Sequence, residues 1–112
     1  RISKKLASDV LTISSANLCV SPGWVDLKAD FCDPGNEHKE TIQSGLDAAS
    51  AGGYTHVFVQ ATTHPVTDTK AQVAYLESKA TQHSTSLHPI GALTKNCAGE
   101  ELAEVGPHFS RS

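Results

Sequence analysis

The sequence contains no methionine, a single tryptophan and only 5% aromatic residues, so any core has to be built from Val, Leu, Ile and Ala. It has no apolar run long enough to span a bilayer, and no signal-peptide-like apolar region opens it. Basic residues are not in excess. Nine Lys and Arg against twelve Asp and Glu leave a formal net charge of -3, with a pI near 6.0. That excludes the basic footprint of a nucleic-acid binder. Cys19, Cys32 and Cys97 are odd in number, widely spaced and without a CxxC pair, which argues against both a disulfide framework and a zinc knuckle. Three reduced thiols fit a cytoplasmic protein. No internal repeat and no low-complexity tract occurs. Arg1 stands where a Met would open a chain, so an upstream part is expected.

What is present is enough for a core: 112 residues with 38% hydrophobic character make one small domain or part of a larger one. In residues 1–20, Ile2, Leu6, Val10, Leu11, Ile13, Leu18 and Val20 alternate loosely with polar residues, predicting one or two short strands joined by a turn. Ser21-Pro22-Gly23 breaks this pattern, and Asp33-Pro34-Gly35-Asn36 is a strong turn signal. Between them a strand is expected near 24–30.

Helical spacing follows. Ile42, Leu46 and Ala49 form one apolar stripe, and the pattern predicts a helix near 39–51 that Gly52-Gly53 ends. Val57, Phe58 and Val59 mark a strand near 55–60. A second helix is expected near 69–82, capped by Thr67 or Asp68, with Ala71, Ala74, Tyr75 and Ser78 close to one face and Val73, Leu76 and Ala80 widening it. A third strand is expected near 87–93, and a last short helix over Gly99 to Glu104. Strands alternating with helices imply a parallel sheet with right-handed crossovers. Three such units fall well short of a closed barrel.

Five segments then resemble one family. Val20-Ser21-Pro22-Gly23-Trp24-Val25-Asp26-Leu27 resembles the entry to the first barrel strand of amidohydrolases, and Asp33-Pro34-Gly35-Asn36-Glu37-His38-Lys39-Glu40 is similar to the PG-x-E-x-KE segment of dihydroorotases. Ala48-Ala49-Ser50-Ala51-Gly52-Gly53-Tyr54-Thr55 resembles the run into their second strand, and Thr63-His64-Pro65-Val66-Thr67-Asp68-Thr69 the loop after it. Pro89 to Lys95, followed by Gly99 to Glu104, resembles the third unit. All five keep order and spacing from about Val20 to Val105.

The resemblance implies an α/β fold: a partial (β/α) TIM-barrel-like unit over residues 21–112, preceded by short β-strands of a small sandwich over residues 1–20. It also implies a zinc-dependent cyclic amidohydrolase of pyrimidine biosynthesis, which interconverts dihydroorotate and carbamoyl-aspartate. In that family a His-x-His at the end of the first strand holds zinc, and the metal lowers the pKa of bound water.

The sequence departs from that pattern where the chemistry should sit. The positions of His-x-His-x-Arg read Lys28-Ala29-Asp30-Phe31-Cys32. A protonated Lys28 brings positive charge to a cation site, one carboxylate at Asp30 is not a site, and Cys32 cannot clamp a substrate carboxylate as a bidentate Arg does. The substrate-contacting Asn falls at Thr62. Lys28 and Asp30 are then either an internal ion pair standing in for a cation or strand-end residues without a chemical role. Cys32 reads as a small loop residue, with a nucleophilic role as the other option.

The six histidines show no H-x-H, no HExxH and no i, i+4 pair. His64, in the loop facing the expected site, is the best candidate ligand or acid–base residue. His38 is expected to be solvated and His56 to face outward or the core rim, while His83, His88 and His108 read as surface residues. The family's later metal ligands come from strands beyond this chain, so the expectation is a truncated homologue that neither binds zinc nor catalyses alone. The alternative is a non-catalytic binding or scaffold module that pairs with an active enzyme subunit, such as a transcarbamoylase or amidohydrolase. Homo-oligomerisation is the other expected partnership, through Val57, Phe58, Val59 and Leu87 to Leu93. Neither nucleic acid nor membrane is expected as a partner.

Overall fold

A computed structural model describes residues 11–104. Five elements make the fold: β1 (Trp24–Ala29), α1 (Ile42–Ala51), β2 (Tyr54–Val59), α2 (Lys70–Ala80) and β3 (Ser86–Pro89), followed by a 3-10 turn at Lys95–Cys97. The three strands form one parallel sheet in the order β1-β2-β3. The chain is thus a small α/β domain, as the alternation predicts.

Both helices start where a side chain can satisfy their orphan amides. Thr41 caps α1, accepting from the Ser44 N–H at 3.2 Å while the Ser44 hydroxyl accepts from the Thr41 N–H. Asp33 adds to this by accepting the Ile42 N–H at 3.0 Å from the turn before the helix. Thr69 and Gln72 form the equivalent reciprocal box at α2, so the cap is Thr69 and neither Thr67 nor Asp68. Gly53 takes the left-handed conformation (φ 83) after α1 and turns the chain into β2.

The core lies between the sheet and the two helices. Ile42 and Leu46 of α1 and Leu76 of α2 pack on Ala29, Val57, Val59 and Leu87, with Phe31 completing the layer. On α2 Leu76 is buried and Val73 and Ala80 are half-buried beside it; Ala71, Ala74, Tyr75 and Ser78 are exposed. The spacing 73, 76, 80 is as helical as the expected one, and the sheet selects the face carrying Leu. Val57, Val59 and Leu87 are buried beneath the helices, which withdraws them as contact residues. Exposed apolar residues include Trp24, Val25 and Leu27 on β1 and Ile90 and Leu93 after β3.

Three expected elements are different. Residues 1–10 lie outside the described residues, and residues 11–20 hold a turn without a strand, with Leu11, Ile13, Leu18 and Val20 exposed. Alternation alone makes no strand without a partner to complete its ladder. β3 stops at Pro89 because the chain turns away: Ile90 still donates to Val59 O, but Ala92 donates to Thr67 O in the loop before α2. The helix expected over Gly99 to Glu104 is absent. That segment folds back in extended form, with an antiparallel bridge between Thr94 and Leu102 and bonds from Lys95 N–H to Glu101 O and from Ala103 N–H to Leu93 O. Six residues are too few to nucleate a helix against such a ladder.

Gly45 is the tightest packing point. A Cβ at this helical position would lie 2.5 Å from Cδ1 and 2.6 Å from Cε1 of Phe31. Gly→Ala inside a helix normally gains about 1 kcal/mol, whereas overpacking costs about 1–3 kcal/mol. Phe31 is itself buried, so its ring has little room to yield. Gly45→Ala is therefore expected to lower stability by roughly 1 kcal/mol, read as a lower urea midpoint at unchanged m-value. A raised midpoint would show that α1 and Phe31 are not in contact.

Candidate functional site

In a parallel sheet the carboxyl ends of all strands open on one side, and the loops that leave them converge there. Here those loops carry the residues singled out from sequence. Asp30 and Cys32 follow β1, and Thr62 and His64 follow β2. The two loops are joined directly: the His64 N–H donates to Pro34 O at 2.9 Å. Gly35 permits that approach, since it has φ 113 and a Cβ there would sit 2.5 Å from His64 Cβ.

Asp30 is the hub. Its Oδ1 accepts the Cys32 N–H at 3.0 Å, and Thr62 Oγ1 donates to its Oδ2 over a long 3.5 Å. This pins Cys32 in the left-handed region (φ 59), where a non-glycine residue is uncommon. Burial, followed by the negative charge of Asp30 and a hydrogen bond to it, pushes the Cys32 thiol above its ordinary value. A raised thiol pKa means less thiolate, which is the opposite of an activated nucleophile. Nearby, Glu37 accepts the Gly35 N–H at 2.9 Å, and that bond holds its carboxyl below the usual range.

The structure brings together Asp30, Cys32 and Thr62, and places the His64 backbone beside them. It does not bring Lys28 to Asp30. Lys28 is exposed, its N–H donates to Asp26 Oδ1 at 2.9 Å, and the ion pairs among the described residues are His83–Asp47 and Lys95–Glu101. The internal Lys28–Asp30 pair is thus a correction. A bulge explains it: the β1–β2 register shifts between Asp26 and Ala29, which turns Lys28 out of the regular alternation. His64 is exposed and its backbone makes the loop contact.

A zinc ion does not fit this donor set. Lys28 offers an ammonium, both Asp30 oxygens are engaged by Cys32 and Thr62, and no group of three or more His, Cys, Asp or Glu among the described residues could hold a metal. An apolar groove of about 280 Å³ lies close by, between Pro34, Pro65 and Tyr75, but none of the four substituted positions lines it. Sequence reasoning missed the reach of Asp33 to the start of α1: its carboxylate accepts the Ile42 N–H from nine residues upstream, a contact that the N-cap pattern, carried by Thr41, does not contain. It also missed the approach of His56 to His88, which becomes visible only with the β2–β3 register.

Asp30 controls Cys32, and this can be measured. Cys32 is expected to alkylate more slowly with iodoacetamide at pH 8 than the exposed Cys19 and Cys97, as followed by peptide mass spectrometry. Asp30→Asn keeps the acceptor for the Cys32 N–H and removes the charge, so Cys32 should then react faster. An unchanged Cys32 rate in that variant would mean that Asp30 does not hold the thiol protonated.

Residues 17–108 match the family described as Dihydro-orotase-like. The dihydroorotase of Geobacter metallireducens is 42% identical over 103 residues, covering 91% of this chain and 24% of that protein. That of Syntrophotalea carbinolica is 44% identical over 100 residues, 88% of this chain and 24% of the relative. The Ruminiclostridium cellulolyticum dihydroorotase is 45% identical over 95 residues, 84% and 22% respectively. The chain spans about a quarter of the length of these curated relatives. With the match in sequence extending over the sheet, both helices and the strand-end loops, the chain belongs to the dihydroorotase-like family.

Proposed function

We propose that this chain is the N-terminal portion of a dihydroorotase homologue with an altered first metal motif, and that it does not catalyse by itself. One observation carries the reading. The strand-end positions 28, 30, 32 and 62 present an ammonium, an engaged carboxylate, a protonated thiol and a hydroxyl in place of His, His, Arg and Asn. Such a set neither generates hydroxide on a metal nor clamps a substrate carboxylate. The α/β unit is then the opening part of a TIM-like barrel, in a cytoplasmic protein of the pyrimidine-biosynthesis family. No helix among the described residues is long and apolar enough to cross a membrane.

The expected result is no hydrolysis of dihydroorotate above background, with or without added Zn²⁺. Lys28→His with Asp30→His should not restore it, because the family's further ligands belong to later strands. Turnover that appears with Zn²⁺ and disappears with a chelator would overturn the reading.

A second reading is a scaffold module that pairs with an active enzyme subunit or with its own copies. It is favoured by the open sheet: β1 and β3 each leave one edge unpaired, and Trp24, Val25 and Leu27 stand exposed on β1. Light scattering over a range of concentrations should show self-association, and Leu27→Lys should reduce it. A monomer at every concentration, alone and with an amidohydrolase or transcarbamoylase subunit, would remove this reading.

A further inference from the structure

Helix α1 carries Gln43, Asp47 and Ser50 at spacings of four and three, a polar stripe beside its apolar one. All three bond the end of α2 and the turn that follows it. Gln43 Nε2 donates to Lys79 O at 2.6 Å, His83 Nε2 lies 3.0 Å from Asp47 Oδ1, and the Ser50 and Ser84 hydroxyls are 3.0 Å apart. His83 makes a second bond inward: its Nδ1 accepts the Thr85 N–H at 3.0 Å. Thr85 is buried, with 1% exposure, and stands directly before β3, where its hydroxyl donates to Tyr54 O at 2.8 Å. The seam joins elements that are neighbours in the chain and in the sheet, so strands added outside β1 or β3 would not come between them.

These two bonds fix the state of the His83 ring. A nitrogen that accepts a backbone N–H carries no proton, so Nδ1 is bare and Nε2 holds the hydrogen that goes to Asp47. An imidazolium has a proton on both nitrogens and cannot accept at Nδ1. We infer that His83 is a proton-sensitive latch: the neutral ring ties the turn before β3 to α1, and protonation releases the Thr85 end of it.

The two ends respond oppositely. Nε2–H donates to Asp47 in both states, and the added charge favours that contact. Asp47 is 75% exposed, so solvent screens most of this gain. At the other end a buried donor loses its acceptor, which costs more than a screened attraction returns. The charged and titratable residues around the ring are Asp47 on α1, Lys79 on α2 and Tyr54 on β2. The Lys79 ammonium is turned over the Tyr75 ring, 5.3 Å from its centroid, and Tyr54 meets the turn through its carbonyl. The Gln43–Lys79 and Ser50–Ser84 contacts do not titrate and keep the helices together. Protonation therefore frees the start of β3 and leaves the rest of the seam closed: the Thr85 bond is present where the ring is neutral and lost as pH falls through its titration.

Ring-nitrogen NMR of the 112-residue chain at about pH 8 tests the first half: His83 should show a bare Nδ1 and a protonated Nε2. Amide exchange tests the second. Protection of the Thr85 N–H, corrected for its intrinsic rate, should fall roughly tenfold or more between about pH 8 and about pH 5. His83→Asn supplies an acceptor at the same i, i+2 reach that does not titrate, so Thr85 should stay protected at both values. His88→Gln, which removes the histidine of β3 itself, should leave the pH response in place. An Nδ1–H tautomer in the unmodified chain, a Thr85 N–H unprotected at the higher pH, or a pH response that survives His83→Asn would overturn the latch.

Discussion

Phe31 lies against the backbone of α1 at Gly45, and the strand-end site hangs on that contact. A side chain at Gly45 would hold the helix off the end of β1, and the loop leaving β1 would lose its anchor. Phe31 is buried in the core while its neighbour Asp30 is exposed on the other side of the chain. Asp30 is therefore free to turn back on Cys32 and to reach Thr62 on the next loop. The same few residues seat α1 from the other side, where Asp33 accepts the Ile42 N–H. Packing, loop conformation and helix start are fixed together within Asp30 to Asp33.

The parts of the fold legible in the sequence are those set by local physics. Ile42, Leu46 and Ala49 mark the α1 stripe, and Gly53 marks its end, because helix period and left-handed φ depend on few neighbours. The β-rich Val57-Phe58-Val59 run marks the central strand for the same reason. What failed depends on distant partners. The stripe of α2 rotates to Val73, Leu76 and Ala80 because the sheet below accepts Leu76, a fact no spacing in α2 contains. The last segment prefers a ladder with Leu93 and Lys95 over a helix, and that partner strand is itself irregular.

The site divides in the same way. The departure of positions 28, 30, 32 and 62 from the pattern the resemblance implies is legible in the residues themselves. The separation of Lys28 from Asp30 is not, since it follows from a bulge that only strand register exposes. Nor is the state of Cys32. Its thiol is raised first by burial and then by Asp30, which folds back through an i, i+2 bond, the local pattern in which Asp competes with the regular backbone.

Each family-like segment performs a task of backbone construction in this structure. Gly35 admits the close approach of His64, and Gly53 turns α1 into β2. Thr63 is buried and bonds Thr67 at 2.8 Å and Pro65 O at 2.8 Å, closing the loop after β2. Asp68 receives the Asn96 N–H at 2.9 Å, tying that loop to the third unit, and Thr69 caps α2. Of the positions that depart from the pattern the resemblance implies, Asp30 shapes the loop after β1 by holding Cys32, whereas Lys28 is exposed and Thr62 makes one long bond. An identity of 42% over 91% of the chain warrants the family, while chemistry has to be argued from the side chains at the strand ends. At those ends stand an exposed lysine, a carboxylate engaged by its own loop and a thiol held above its ordinary value.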